Sequence, residues 1–228
     1  MHANTDVWII IPVYNEGPVI KGVLEQVLTT FPNVVCVDDG SADNSAAEIA
    51  QTGAHLVRHP INMGQGAALQ TGLSYAVRRT GGQYFVTFDA DGQHRVEDVL
   101  SMLEIVRDDR ADVVLGSRFL GNSDTVPLIK QIVLRTVVML VPACRRLKLA
   151  YAHNGLRLLG RAAAERVRIT QNGMAHASEI AGWLAHSRLR VAEAPVTVLY
   201  TDYSRNKGQS LINGINILFD VSMARRGR

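Results

Sequence analysis

The sequence predicts an α/β fold in which a central, mostly parallel sheet is flanked by helices. Three observations predict it. Short apolar runs alternate with stretches of helical period through residues 1–125, the pattern of right-handed βαβ units. Each of the five apolar runs ends in a polar segment, where ligands bind in open parallel sheets. The chain has 228 residues, 47% hydrophobic and 20% charged, which suits one large domain with a buried core.

The elements follow in order. Val7–Val13 (VWIIIPV) reads as a buried strand ended by a turn. Residues 19, 20, 23, 24, 27, 28 and 31 are apolar at helical spacing, so a helix is expected over 19–31. Residues 34–37 form a second strand, and 43–50 a short helix with Ser41 or Asp43 as N-cap. A third strand is expected over 55–58, a helix over 66–79 ended before Gly81-Gly82, and a fourth strand over 84–88. A helix over 96–106 and a fifth strand over 113–116 complete the regular part. Beyond it, helices are expected over 128–147, 161–167, 178–187 and 211–223, and strands over 189–191 and 196–200.

Charge divides the chain. Residues 1–125 carry 8 Lys and Arg against 16 Asp and Glu, a net of −8; residues 126–228 carry 16 against 5, a net of +11. This predicts a polar, metal-binding half beside a basic half of the same domain that meets an anionic partner. Two cysteines, Cys36 and Cys144, exclude a disulfide scaffold and favour a reducing compartment. No basic n-region precedes the first apolar run, so no signal peptide is expected. The longest apolar candidate, residues 132–144, has 13 residues and contains Arg135, too short and too polar for a spanning helix.

Chemistry gathers at the strand ends. They are followed in turn by Pro12-Val13-Tyr14-Asn15-Glu16, Asp38-Asp39-Gly40-Ser41, Asn62-Met63-Gly64-Gln65-Gly66, Asp89-Ala90-Asp91-Gly92-Gln93-His94 and Gly116-Ser117-Arg118. In an extended segment, residues two apart point the same way, so Asp89 and Asp91 can share a hard divalent cation, with Gln93 as a further oxygen. Alone, Asp-x-Asp is more often an Asx turn; beside four other polar strand ends it is a metal-site candidate. The spacing of Gly64, Gly66 and Gly72 does not fit a dinucleotide fingerprint, and the chain has no Walker A loop or Gly-x-Ser-x-Gly elbow. His94, His153 and His176 are too dispersed for a zinc site.

Those five motifs, in this order, resemble family 2 inverting glycosyltransferases, and within them the dolichol-phosphate-mannose-synthase-like and polyprenyl-phosphate-sugar synthase branch. Tyr200-Thr201-Asp202-Tyr203-Ser204 and Lys207-Gly208-Gln209-Ser210 are similar to short polyprenyl-phospho-N-acetylhexosaminyl synthases. The resemblance covers nearly the whole chain, to about Asp220, and implies a GT-A-type nucleotide-sugar-binding fold. It implies that Pro12, Tyr14 and Glu16 line the base and ribose, and that Asp39, or else Asp38, accepts a hydrogen bond from the base. The resemblance implies that Gly64 and Ala90 belong to the same nucleotide site. Asp89 would meet the ribose or sugar, and Asp91 and Gln93 would hold Mg²⁺ or Mn²⁺ on the diphosphate. Arg118, Arg205 and Lys207 would meet phosphate. Two positions depart from the family: Tyr151 stands where relatives often carry Asp, and Leu211 where they carry Lys.

The activity so implied moves a sugar from a nucleotide diphosphate, UDP by expectation, to polyprenyl phosphate with inversion. A phosphate monoester is already anionic near neutral pH and needs no general base. Nucleic acid is not an expected partner. A cytoplasmic protein lying on the inner face of the membrane fits the basic, apolar stretches 128–147 and 211–223, and a small membrane-embedded partner or self-association would supply a second anchor. The alternatives are transfer to a saccharide hydroxyl with Glu179 as base, a non-catalytic nucleotide- or lipid-binding scaffold, and a sugar nucleotidyltransferase, which would carry a Gly-rich basic loop after the first strand.

Overall fold

A computed structural model gives the fold. The structure describes residues 4–79, 81–118, 120, 142–147 and 154–199. Seven strands form one sheet: β1 (Val7–Val13), β2 (Asn33–Asp38), β3 (His55–Arg58), β4 (Tyr84–Thr87), β5 (Val113–Ser117), β6 (Arg157–Gly160) and β7 (Val191–Pro195). Their order across the sheet is β3-β2-β1-β4-β6-β5-β7. All neighbouring pairs are parallel except those of β6, which runs antiparallel to both β4 and β5. The described helices are α1 (Gly17–Leu28), α2 (Ser45–Ala50), α3 (Gln65–Val77), α4 (Val96–Arg107), α5 (Pro142–Leu147), α6 (Arg161–Arg166) and α7 (His176–His186).

The core lies in two layers, one on each face of the sheet. Val7, Ile9, Ile11 and Val13 of β1 pack with α1 and α4 on one face. Trp8 and Ile10 face the opposite layer with α3, α6 and α7. Every residue of β1 is buried, which is why its sequence is a continuous apolar run rather than an alternation. Cys36 is buried in the first layer, and burial pushes its thiol pKa up, so it packs as a small hydrophobe.

The first half matches expectation closely: β1 and β3 have the expected bounds, and no other end is shifted by more than three residues. Helix α2 starts at Ser45 rather than 43; Ser41 does not cap it, whereas Asp43 Oδ1 accepts from the N–H of its first residue, Ser45, at 2.9 Å. Ser41 Oγ accepts from the Asn15 N–H at 2.9 Å, and Asp43 Oδ2 accepts from the Gly17 N–H at 2.9 Å, so both residues brace the loop that starts α1. The second half differs more. The strands expected over 189–191 and 196–200 are replaced by β7 at 191–195. Residues 196–199 leave the sheet: the Thr197 N–H donates to Asp98 Oδ2 and the Leu199 N–H to the Gln93 carbonyl. That contact buries Asp98 in part, and burial raises its pKa. Strand β6 was not anticipated. It is four residues long, with Leu158 in one core layer and Leu159 in the other. Of the helix expected over 128–147, only α5 lies within the described residues; the helix expected over 211–223 lies outside them.

The short strand β6 lies inside the sheet, next to its central strand, between β4 and β5. Leu158 is fully buried there. Leu158→Ala is therefore expected to cost about 2–5 kcal/mol in urea unfolding. A change within about 0.5 kcal/mol, the range of exposed sites, would contradict the interior placement.

Candidate active site

From β1 the chain passes to β2 on one side and, later, to β4 on the other, so the sheet has a switch point between β1 and β4. Crevices for ligands form at such points, beyond the carboxyl ends of the strands. A cleft of about 460 Å³ opens there. Its wall is built from Pro12 and Val13 at the end of β1, Tyr14 and Glu16 after it, Asp39 after β2, and Asp89, Ala90 and Asp91 after β4. Asn62, Gly64, Gln65 and Ala68 from the start of α3, with Gly173 and Met174 ahead of α7, close the other side. The structure thus brings together Pro12, Tyr14, Glu16, Asp39, Gly64, Asp89, Ala90 and Asp91. Asp38, Gln93 and Arg118 do not line the cleft, and Arg205, Lys207 and Tyr151 lie outside the described residues.

The two aspartates after β2 have different surroundings. Asp38 is wholly buried; its Oδ1 accepts from the Ser41 N–H at 3.0 Å and its Oδ2 from Arg58 Nε at 3.0 Å. Asp38 therefore holds the turn, and of the two aspartates only Asp39 lines the cleft. Asp39 Oδ1 receives His59 Nδ1 at 2.7 Å and the Met63 N–H at 2.9 Å, and Oδ2 receives the Gly64 N–H at 2.7 Å. Gly64 is required for this geometry: its φ is +98°, and a Cβ would lie 2.3 Å from the Asn172 carbonyl oxygen. That carbonyl also accepts from the Gly66 N–H at 2.7 Å, which ties the 171–174 loop to the start of α3.

Asp89 sits deeper at the other end. Its Oδ2 is 2.9 Å from His94 Nε2, and Gln65 Nε2 approaches Oδ1 at 3.4 Å. Burial works against its charge, but His94, buried Arg157 and His176 outweigh it and hold the carboxyl below the usual range. Burial, and after it Arg157, lower the pKa of His176 in turn. Asp91 shows the opposite shift. Burial, then the charges of Asp89 and Glu16, push its pKa up, against the help of the Gln93 N–H at 3.0 Å. Two carboxylates joined by Glu16 in one concave wall form a site that a cation would relieve. Among the described residues, no group of three or more His, Cys, Asp or Glu side chains could hold a metal alone. The donor set fits a hard divalent ion that keeps water and substrate phosphates as its other ligands.

Gly155 completes this corner. A Cβ there would fall 2.0 Å from Asp89 Oδ2, so the segment before β6 packs directly on the carboxylate. The Gly155 carbonyl accepts from Thr87 Oγ1 at 2.5 Å, locking that approach to the end of β4. Three buried polar atoms at this rim have no partner among the described residues: His94 Nδ1, Ser117 Oγ and Asn154 Nδ2.

Comparison with known proteins decides the family. Residues 8–168 match the glycosyl transferase family 2 pattern. The chain belongs to glycosyl transferase family 2. It is 27% identical to the UDP-N-acetylglucosamine–dolichyl-phosphate N-acetylglucosaminyltransferase of Methanococcus voltae, across 99% of this chain and 98% of that one. It is 35% identical to the polyprenol monophosphomannose synthase of Mycolicibacterium smegmatis over 49% of this chain and 44% of that one. The glucosyl-3-phosphoglycerate synthase of Mycobacterium tuberculosis, solved with Mn²⁺, UDP-glucose and phosphoglyceric acid, superposes with a TM-score of 0.65. That match covers 90% of this chain and 75% of the other at 15% identity, and it supports the GT-A-type fold. The protein is a glycosyltransferase.

Several residues of the glycosyltransferase site were not singled out from sequence. Gln65 and His94 lay inside the strand-end motifs without an assigned role, and Arg157 lay outside them. The Gly173-Met174 segment carried no signal beyond a glycine. Glu179, the candidate base for a hydroxyl acceptor, does not line the cleft. Its carboxylate takes the Thr170 and Gln171 N–H groups and the Thr170 hydroxyl at 2.5–3.1 Å, bracing the loop that leads to Met174.

Gly155→Ala is expected to displace Asp89 and lower kcat/KM by roughly 100-fold or more, given the sensitivity of such sites to displacements near 1 Å. Circular dichroism and thermal unfolding of the same variant would establish that it folds. Activity within a few-fold of the parent protein would show that the Gly155–Asp89 contact is dispensable.

Proposed function

We propose that the protein transfers a sugar, a hexose or N-acetylhexosamine, from a UDP-sugar to polyprenyl phosphate with inversion, for cell-envelope glycan or glycolipid assembly. The observation that carries this reading is the cleft itself: an acceptor carboxylate, Asp39, stands at one end and the Asp89-Ala90-Asp91 wall at the other. The names of the relatives support it, since that of M. voltae joins a UDP-sugar to a dolichyl phosphate.

In this reading the base lies against Pro12 and Tyr14, and Asp39 accepts its ring N–H, which would be costly to bury unpaired. Asp89, kept ionised by His94, accepts from the ribose or sugar hydroxyls. Asp91, with Gln93 and Asp89 on the same loop, would hold Mg²⁺ or Mn²⁺, and the metal when bound neutralises the leaving diphosphate. Arg118, at the carboxyl end of β5, and Arg205 and Lys207, six and eight residues past Leu199, would meet the phosphates. The acceptor oxygen is anionic without help, because the second pKa of a phosphate monoester is about 6. Orientation and charge neutralisation are then the chain's main tasks, and no side chain is needed as base.

The acceptor requires a membrane surface, and we assign its binding to the basic half, residues 126–228. Among the described residues no helix is long and apolar enough to cross a membrane. Arg145 and Arg146 of α5 are exposed, as suits contact with anionic headgroups on the inner face of the plasma membrane. A small membrane-embedded partner or a second copy would strengthen the attachment.

The test is UDP release by purified protein with Mn²⁺ or Mg²⁺, a panel of UDP-sugars and a short polyprenyl phosphate. Acceptor-dependent release with one sugar is expected, falling roughly 100-fold or more in Asp91→Asn. Release that ignores the lipid would move the assignment to a hydroxyl acceptor.

A further inference from the structure

The hydrogen bonds around Asp39 leave a definite number of acceptor positions open, and that number bears on which base the cleft admits. An ionised carboxylate has about four lone-pair sites, two on each oxygen. Oδ1 is filled: His59 Nδ1 lies at 2.7 Å and the Met63 N–H at 2.9 Å. Oδ2 holds the Gly64 N–H at 2.7 Å and keeps one site. Of the three donors, two are backbone groups fixed by the turn. The third belongs to His59, a buried side chain outside the cleft wall whose other nitrogen, Nε2, is 3.0 Å from Thr71 Oγ1 of α3. His59 is thus held from both sides, and it occupies the acceptor site that would otherwise pair with the open one on Oδ2.

We infer that His59, held by Thr71, is a specificity-determining residue that makes Asp39 a one-bond reader and selects uridine over guanosine diphosphates. The inference rests on the assignment of this cleft to a nucleotide-sugar donor. Uracil presents a single ring N–H, at N3, which one open site satisfies. Guanine presents two parallel donors, N1–H and the 2-amino group, and needs an open site on each carboxylate oxygen. With Oδ1 filled, one of those donors is buried unpaired, at the usual penalty. Cytosine is refused for a different reason: its N3 is a lone pair facing a carboxylate. His59 touches neither the sugar nor the phosphates, so it is a positioning residue. Its effect is on the ratio between bases rather than on affinity alone.

Titration calorimetry with UDP, GDP and CDP in the presence of Mn²⁺ tests this on the full chain and three variants. The parent protein is expected to bind UDP about tenfold or more tighter than GDP or CDP. His59→Leu, which opens Oδ1, is expected to narrow the UDP-to-GDP ratio by about tenfold while CDP stays excluded. His59→Gln, which keeps an N–H donor, should restore the ratio, and Thr71→Val should shift it part of the way. Equal weakening of UDP and GDP in His59→Leu, or a parent protein that prefers GDP, would overturn the inference. If His59→Leu does not fold, an unchanged ratio in Thr71→Val overturns it. UDP binding with a ratio that no variant moves removes the inference and leaves the donor assignment standing; failure of the parent protein to bind any of the three removes both.

Discussion

A parallel strand buried on both faces can present polar chemistry only at its ends. β1 is such a strand, and the three-layer arrangement around it sends every polar loop of the first half to one rim. The switch between β2 and β4 on either side of β1 then parts two of those loops far enough to leave a crevice. Asp39 and the Asp89–Asp91 pair stand on opposite sides of it because β2 and β4 are the neighbours of β1, not because of any local feature of the carboxylates. Everything proposed for the site follows from that placement.

Within the crevice the carboxylates are differentiated by their surroundings. Asp39 takes three donors, the His59 ring and the Met63 and Gly64 N–H groups, which fix it as an acceptor with one site open on Oδ2. Asp89 is held ionised by His94 and by buried Arg157. Asp91, two residues on, is pushed toward its protonated form by burial, Asp89 and Glu16. Three acids in one cleft thus have three different environments, which suits the three separate tasks proposed for them. The 171–174 loop joins this arrangement from the second half, carried by the Asn172–Gly66 hydrogen bond and braced by Glu179.

Much of this was legible in the sequence because the first half obeys local rules. Continuous apolar runs marked β1, β2, β4 and β5, and the motifs at the ends of β1 to β4 held the eight candidate residues that line the cleft. What was not legible depends on tertiary context. β6 is four residues long, and its Arg157-Leu158-Leu159-Gly160 shows no period that separates strand from loop; its neighbours on either side make it a strand. Asp43 looked like a cap of α2 because capping is local, and its Oδ1 does take the Ser45 N–H; its Oδ2, however, serves the start of α1, 26 residues away, which no local pattern shows. The different roles of Asp38 and Asp39 turn on which residues the chain folds against them, Arg58 for one and His59 for the other. Gly155 gave no sign that it abuts Asp89, since close approach across 66 residues leaves no mark on spacing.

The central claim is that the rim between β1 and β4 is a nucleotide-sugar site with Asp39 at the base and Asp91 at the diphosphate. A crystal structure with UDP and Mn²⁺, the metal located by its anomalous signal, tests it directly. The account predicts uracil N3 within hydrogen-bonding distance of Asp39 Oδ2, and Mn²⁺ bridging Asp91 and the diphosphate. A nucleotide bound away from this rim, or bound here with its base at Asp91 and its phosphates at Asp39, would contradict it.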